Sequence, residues 1–481
     1  MFKRISSATV NYGLGQVIPK VVGFLLLPLY TAFLSPEDFG IVDLTMTIGA
    51  FALSGMRLGL PGAISVFYFD YVGKGKDQVY ISTLYIGTAL ISFVLSVPFL
   101  VVGYFVLPFL VPGLPFYPFY FLIILSSFLT TSSDIQRRLL QVREQSGYSA
   151  WLNIITTLAG ILTAVILVVL IRMGALGMVL STLLTSVIFF IQAQIYLKKD
   201  LRFIFDKTMF RNSLVYSLPL LPYHVLGNFA PLFGKSILAA QSSLAAVGLF
   251  AIAFKLTQPM QVFSNALGTA YSPIYFSMRT SEGTNEVNRK VVSAFNKIWA
   301  ISTILSVAIY LFATPALVFF TDIRYHGADV CVKILSLGFL PTVFYLIASQ
   351  EIFYQKKTRI VLLINLTAAL LTILLAMWLV PKLDEVGLAV SMVAPLFISA
   401  IGAHYFSSKY YMIAYNWAII FRTSCVALSA MIMSHFLPDM PMFYSMLALV
   451  SIFLISFWLI AWLEKSMWIS AVAIFRKSIN P

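Results

Sequence analysis

Charge is what this sequence has least of. Only 10% of its 481 residues are Asp, Glu, Lys or Arg, against about 25% in soluble globular proteins. Hydrophobic residues make up 60%, and the mean hydropathy is +0.92. Those proportions exclude a soluble enzyme, a disordered scaffold and a single-anchor protein. Cysteine is nearly absent. Cys331 and Cys425 cannot build a disulfide framework, and no Cys/His spacing suits a metal, so zinc and redox chemistry are not expected. Long polar loops are missing too. The largest connection, about 198–212 (KKDLRFIFDKTMFRN), is basic, too short for a folded domain, and reads as a linker between two halves.

What is present is apolar helix. The chain reads as an all-α integral membrane protein of about fourteen transmembrane helices, counted from apolar stretches of hydrocarbon length. The first two spans cover about 9–34 and 36–69, the seventh and eighth 213–240 and 244–275, and the last ends near 462. Lys3 and Arg4 resemble a signal-peptide start, but no compact apolar core and cleavage site follow them. With the N-terminus inside, 23 of the 32 basic residues fall on the cytoplasmic side, and only Arg172, Arg324, Lys333 and Lys382 fall opposite. Because Lys and Arg are retained in the cytoplasm, both termini are expected there. The expected division is a first lobe at 1–200, a linker and second lobe at 201–409, and two further helices with a basic tail at 410–481.

A weak repeat relates the halves at an offset of 208 residues. Segment 35–44 (SPEDFGIVDL) lies over 243–252 (SLAAVGLFAI), aligning Gly40 with Gly248, and 65–69 lies over 273–277. An even number of spans per half makes the halves parallel, an arrangement that builds a substrate site at its interface and works by alternating access. Ser35, Pro36 and Asp38 spell a helix start, a structural role. Prolines at 19, 28, 61, 219, 222, 231, 259 and 273 place kinked helices in the first pair of each half.

Those same four spans carry cations that topology does not explain. Lys20, Arg57 and Lys255 lie near the middle of their spans, too deep to snorkel comfortably, while Lys235 is close to an outer end. Each central cation facing lipid costs about 2.5–3.5 kcal/mol. No acidic residue is seen comparably deep in these spans; Asp43 is near the outer mouth. The expectation is a hydrated cationic cavity that takes an anionic substrate, with packing against helix carbonyls as the plain alternative for any single cation. Arg57 leads, since guanidinium holds phosphate bidentately and stays charged, followed by Lys20, Lys255 and Lys235. Asn11, Gln16, Asn228 and Asn265 line the cavity or glue helices together. His224 takes up a proton in coupling or packs as a neutral ring, and Asp43 holds a coupling cation or complements its helix start. Aromatic clusters at 67–71, 116–121 and 410–417 are expected to form interfacial belts.

Residues 23–44 read GFLLLPLYTAFLSPEDFGIVDL. The run L-P-L-Y-T…L-S-P-x-D-F-G, from Leu27 to Gly40, closely resembles the opening of bacterial polysaccharide-transporter flippases, the O-antigen and capsule repeat-unit translocases of the Wzx type. These share a superfamily with lipid II flippases and multidrug extruders. The resemblance implies two pseudo-symmetric six-helix lobes in a V, two appended helices and a central cationic cavity. It also implies diphosphate-binding cations on the first, second and eighth helices, the spans of Lys20, Arg57 and Lys255. The cargo it implies is an undecaprenyl-diphosphate-linked oligosaccharide, its tail left in membrane lipid and its sugar passed on to polymerase and chain-length machinery. No cofactor and no nucleic-acid partner are expected, and H⁺ or Na⁺ coupling stays open. Two other readings stand beside it. An organic-cation antiporter would show buried carboxylates. A polysaccharide polymerase or ligase would carry a large outward loop, whereas the longest outward segment, 319–328, offers only Asp322, Arg324 and His326, with Asp329 next to it.

Overall fold

The computed structural model describes residues 20–281, 283–436 and 442–463, and the chain divides into two compact units. The first comprises Met1–Ala251 with Ala376–Glu385, the second Ile252–Leu375 with Val386–Pro481. After a helical stretch at 20–25, the first unit contains α1 (Leu27–Phe33), α2 (Pro36–Arg57), α3 (Leu60–Val72), α4 (Asp77–Leu110), α5 (Phe121–Val142), α6 (Ser146–Val165), α7 (Gly174–Leu197), α8 (Lys207–Ser217) and α9 (Leu221–Gln241). Helix α10 (Leu244–Leu256) begins in the first unit and ends in the second. Then follow α11 (Gln258–Ser281), α12 (Thr284–Leu311), α13 (Ala313–Phe320), α14 (Asp329–Leu337), α15 (Phe339–Tyr354), α16 (Thr358–Ser408), α17 (Trp417–His435) and α18 (Met442–Leu463). No strand occurs among the described residues.

Ten helical segments are long and apolar enough to cross a bilayer, and α10 with α11, bent by 47°, makes an eleventh. Helix α16 has 51 residues and a non-helical break at Asp384 (φ 47°, ψ −129°). At 1.5 Å per residue it is about 77 Å long, more than twice the hydrocarbon thickness, so the break divides two spans. The expected fourteen spans are compatible with this set.

Local chemistry explains the helix starts. The Ser35 hydroxyl accepts from the Asp38 amide at 3.1 Å, and Asp38 accepts from the Ser35 amide at 3.0 Å, a closed capping box with Pro36 at the first turn. Asp38 reaches further than its own helix: Oδ1 accepts from the Ala175 amide at 3.3 Å, securing the start of α7. Gly40 and Gly248 bring α2 and α10 together. A Cβ on Gly40 would stand 1.8 Å from the Leu244 carbonyl oxygen, and one on Gly248 would stand 1.9 Å from that of Pro36. Since Leu244 is Pro36 displaced by 208 residues, the contact is reciprocal, and it gives the repeat a physical basis.

In the first unit a core of Leu60, Ile64, Tyr80, Leu84, Ile135 and Leu139 ties α3, α4 and α5 together. The linker lies against the start of α4, where the Arg202 and Asp206 amides donate to Ser82 (2.7 Å) and Thr83 (3.0 Å). The second unit's core is aromatic, built on Tyr275, Phe295, Trp299 and Phe344. Tyr411 and Tyr415 are buried in it, so the cluster at 410–417 is core as much as interfacial belt. Prolines also lie within α4, at Pro98 and Pro108, in a helix that continues through both.

Candidate functional site

Helix α2 stops at Arg57 because the next two residues are left-handed, Leu58 at φ 45° and Gly59 at φ 72°. Gly59 suits that conformation, and a Cβ there would meet the Ser217 carbonyl at 3.2 Å. The second span is therefore broken, and Arg57 occupies the last turn of α2, where a cation complements the helix dipole.

Its partner is Asp134 of α5, with which it forms an ion pair. The Asp134 side chain is only 7% exposed, that of Arg57 34%. Arg57 Nε is buried and makes no hydrogen bond. Asp134, Arg137, Arg138 and Gln141 fall at i, i+3, i+4 and i+7, one face of α5. All four line a cavity of about 420 Å³ together with Arg57 and Asn228. Arg137 rests 4.6 Å from the Phe189 ring centroid, and Arg138 donates to Gln141 at 3.1 Å. Three guanidiniums face one carboxylate, and the site suits an anion larger than chloride.

The expectation of no carboxylate deep within the four proline-bearing spans concerns those spans alone; Asp134 comes from the fourth span, near its end. Lys235 is 7% exposed, its ammonium 2.6 Å from Asp43 and 3.0 Å from Thr47 Oγ1. Asp43 and Arg57 are 14 positions apart on α2, about 21 Å along its axis, so these cations occupy separate places. Neither Lys235 nor Lys20 lines the Arg57 cavity.

Lys20 is exposed at the first described position. Lys255, half-buried in the last turn of α10, and Asn265, exposed on α11, belong to the second unit. Asn11, Gln16 and the side chain of His224 lie outside the described residues. The cluster at 322–329 is locally paired: Arg324 donates to Asp322 at 2.8 Å, and Lys333 and Thr314 donate to Asp329 at 2.7 and 2.6 Å.

Each unit also holds an arginine–carboxylate clamp that the sequence reading missed. Arg143 donates to both Asp200 oxygens, at 2.9 and 2.5 Å, and to Tyr68 at 3.1 Å. The bonds to Asp200 raise its guanidinium above the ordinary range, fixing the charge. In the second unit, Arg279 forks onto fully buried Glu351 at 2.9 and 3.0 Å, and Tyr275 adds a 2.6 Å bond. The Arg279 guanidinium lies 4.1 Å from the Tyr411 ring centroid. Arg143, Asp200 and Arg279 lie at or just past helix ends, where no local pattern marks a charge as paired.

Residues 8–279 match the family described as Polysaccharide biosynthesis protein. The chain belongs to that family. Protein 1 of the Lsg locus of Haemophilus influenzae is 22% identical over 372 residues, covering 74% of this chain and 87% of its own length. Among solved structures, the lipid II flippase MurJ in an inward closed conformation matches with a TM-score of 0.71 at 14% identity, over 98% of this chain and 99% of its own. An inward-facing multidrug MATE transporter matches with a TM-score of 0.66 at 15% identity, over 84% and 97%. This member of the polysaccharide biosynthesis family therefore has the fold of those transporters and is a multi-pass membrane protein.

Proposed function

We propose that this chain is a flippase, without enzymatic activity, that moves undecaprenyl-diphosphate-linked oligosaccharide repeat units from the cytoplasmic to the outer leaflet of a bacterial inner membrane, for O-antigen or another surface polysaccharide. The observation that carries the reading is the Arg57 cavity, in which three arginines outnumber one carboxylate. A diphosphate fits it chemically. Its oxygens would satisfy the unused Arg57 Nε and compete with Asp134 for the guanidinium, which a neutral or cationic cargo would not do. Lys20, Lys255 and Lys235 are further substrate-facing cations in this reading, and His224, Asp43, Asn11 and Asn265 are cavity or coupling residues. Fourteen spans, lobes at 1–200 and 201–409, cytoplasmic termini and rocking between lobes complete it, with H⁺ or Na⁺ as the coupling ion. Organic-cation export is disfavoured by the same charge balance.

The experiment is reconstitution in liposomes with a fluorescent undecaprenyl-diphosphate oligosaccharide, scored for arrival in the opposite leaflet. Arg57→Ala alone leaves Asp134 only the longer 3.5 Å pair with Arg137, so it is paired with Arg57→Ala/Asp134→Asn, which removes both charges. Transport by wild type and loss in both variants supports the reading. Full transport by the folded double variant rejects the site, and no transport by folded wild type across several glycans rejects the function.

A further inference from the structure

A second cavity, of about 360 Å³, adjoins the cationic one in the first unit and is almost wholly apolar. Ile48, Phe51, Pro98, Phe99, Val102 and Leu232 are among its lining residues. The two cavities share two helices in adjacent turns. Helix α2 presents Ile48 and Phe51 to the apolar cavity and Ser54 and Arg57 to the cationic one. Helix α9 presents Leu232 to the first and Asn228, one turn earlier, to the second. Aromatic rings cluster at the apolar cavity: Phe51 meets Phe99 edge-on at 6.1 Å and Phe229 at 5.8 Å.

The apolar cavity is a built feature of the fold. Pro98, within α4, forms part of its wall. Tyr120 closes it by lying on Gly103, where a Cβ would stand 2.2 Å from the ring, and its hydroxyl donates to the Phe99 carbonyl at 2.7 Å. Val102 and Val106 are 55% and 44% exposed on the face of α4 that carries bare Phe105 and Phe109, so the cavity opens where a bilayer would lie.

From this juxtaposition we infer that the apolar cavity holds the head-proximal isoprene units of the lipid whose diphosphate occupies the Arg57 cavity. One amphiphile spans both: charge at the arginines, unsaturated chain over the phenylalanine faces, the remaining tail leaving past Val102 and Val106 into lipid. The inference rests on the flippase reading and adds a tail site to it. A lipid head and tail must lie within covalent reach, and sharing α2 and α9 in adjacent turns provides that. The rings also favour a chain with repeated double bonds over a saturated one.

The test uses full-length protein in nanodiscs with two probes, undecaprenyl diphosphate and the five-carbon isopentenyl diphosphate. Val102→Trp fills the cavity from its lipid-facing rim, where added bulk leaves the core packing alone. It is expected to weaken the long probe about tenfold, the scale of withdrawing roughly two methylene groups from burial, and to leave the short probe unchanged. Arg57→Ala/Asp134→Asn is expected to weaken both. A diazirine on the first isoprene unit should label Phe51 or Phe99 in wild type, which covers the case in which Val102→Trp fails to fold. Long-probe binding and transport that survive Val102→Trp, or labelling confined to other helices, overturn the tail site and leave the flippase standing. Labelling of the same residues by a diazirine phospholipid, undisplaced by the long probe, also overturns it. A wild type that binds neither probe overturns both readings.

Discussion

Residues 35–72 and 243–281 are two versions of one element, and they begin alike. Ser35 caps the amide of Asp38 at 3.1 Å, and Ser243, its counterpart at +208, caps that of Ala246 at 3.1 Å. Gly40 and Gly248 follow at matching positions, each against the other's backbone. Beyond these the two diverge. Arg57 has Asn265 as its counterpart, Thr47 has Lys255, and the clamp at the far end exchanges its signs. In the first unit the fourth-span end supplies the arginine, Arg143; in the second it supplies the carboxylate, Glu351. Backbone contacts repeat while charges do not. The symmetry therefore serves the scaffold, and the proposed anion site rests on one half's departure from it.

Breaking that comparison at its strongest point means moving the charge. Arg57→Ala/Asp134→Asn should lower translocation at least a hundredfold, roughly 2.7 kcal/mol of charge-assisted binding, while Asn265→Ala, at the matching position, should change it less than about threefold (roughly 0.7 kcal/mol). The liposome assay reads both, and equal losses would show that the halves share the work.

The glycine contact should break symmetrically. Gly40→Ala and Gly248→Ala each place a methyl group within 1.9 Å of a carbonyl oxygen, and overpacking of a contact that cannot yield costs about 1–3 kcal/mol or more. Apparent melting temperatures in detergent should fall by similar amounts, and a tolerated alanine at either position would refute the close approach.

The clamps should separate. Glu351 is fully buried and its side chain 0% exposed, against 11% for Asp200. Glu351→Gln should thus cost about 3–5 kcal/mol, the range for one partner of a buried pair, and Asp200→Asn visibly less. The reverse order of melting temperatures would contradict this. Smallest are the caps: Ser35→Ala and Ser243→Ala should each cost about 1 kcal/mol, with Ser35 the larger because its loss also leaves the Asp38 carboxylate with one partner fewer.

Much of this was legible before the structure. Span positions, the capping box and the paired glycines follow from hydropathy and local spacing, which act over a few residues. The anion site was half legible. Arg57 stood out as a deep cation, and the stripe at 134, 137, 138 and 141 was available as a polar face on an apolar span. Their meeting was not, because Arg57 and Asp134 are brought together by the packing of α2 on α5. Lys235 and Asp43 are 192 positions apart, and no local pattern announces such a pair. The apolar cavity was invisible for a different reason: its residues read individually as ordinary lipid-facing or core positions, and only Gly103 and Pro98 hint at a wall that gives way.

The reciprocal contact of Gly40 and Gly248 has a consequence for ancestry. When residue i of one segment meets residue j of another, and j of the first meets i of the second, the geometry is that of an isologous dimer interface. Here both surfaces belong to one polypeptide. A contact of this kind is what remains when a gene for a self-associating half is duplicated and fused. Fusion then frees each copy to acquire substitutions its twin lacks, so that an arginine can arise at one site without being imposed at the other.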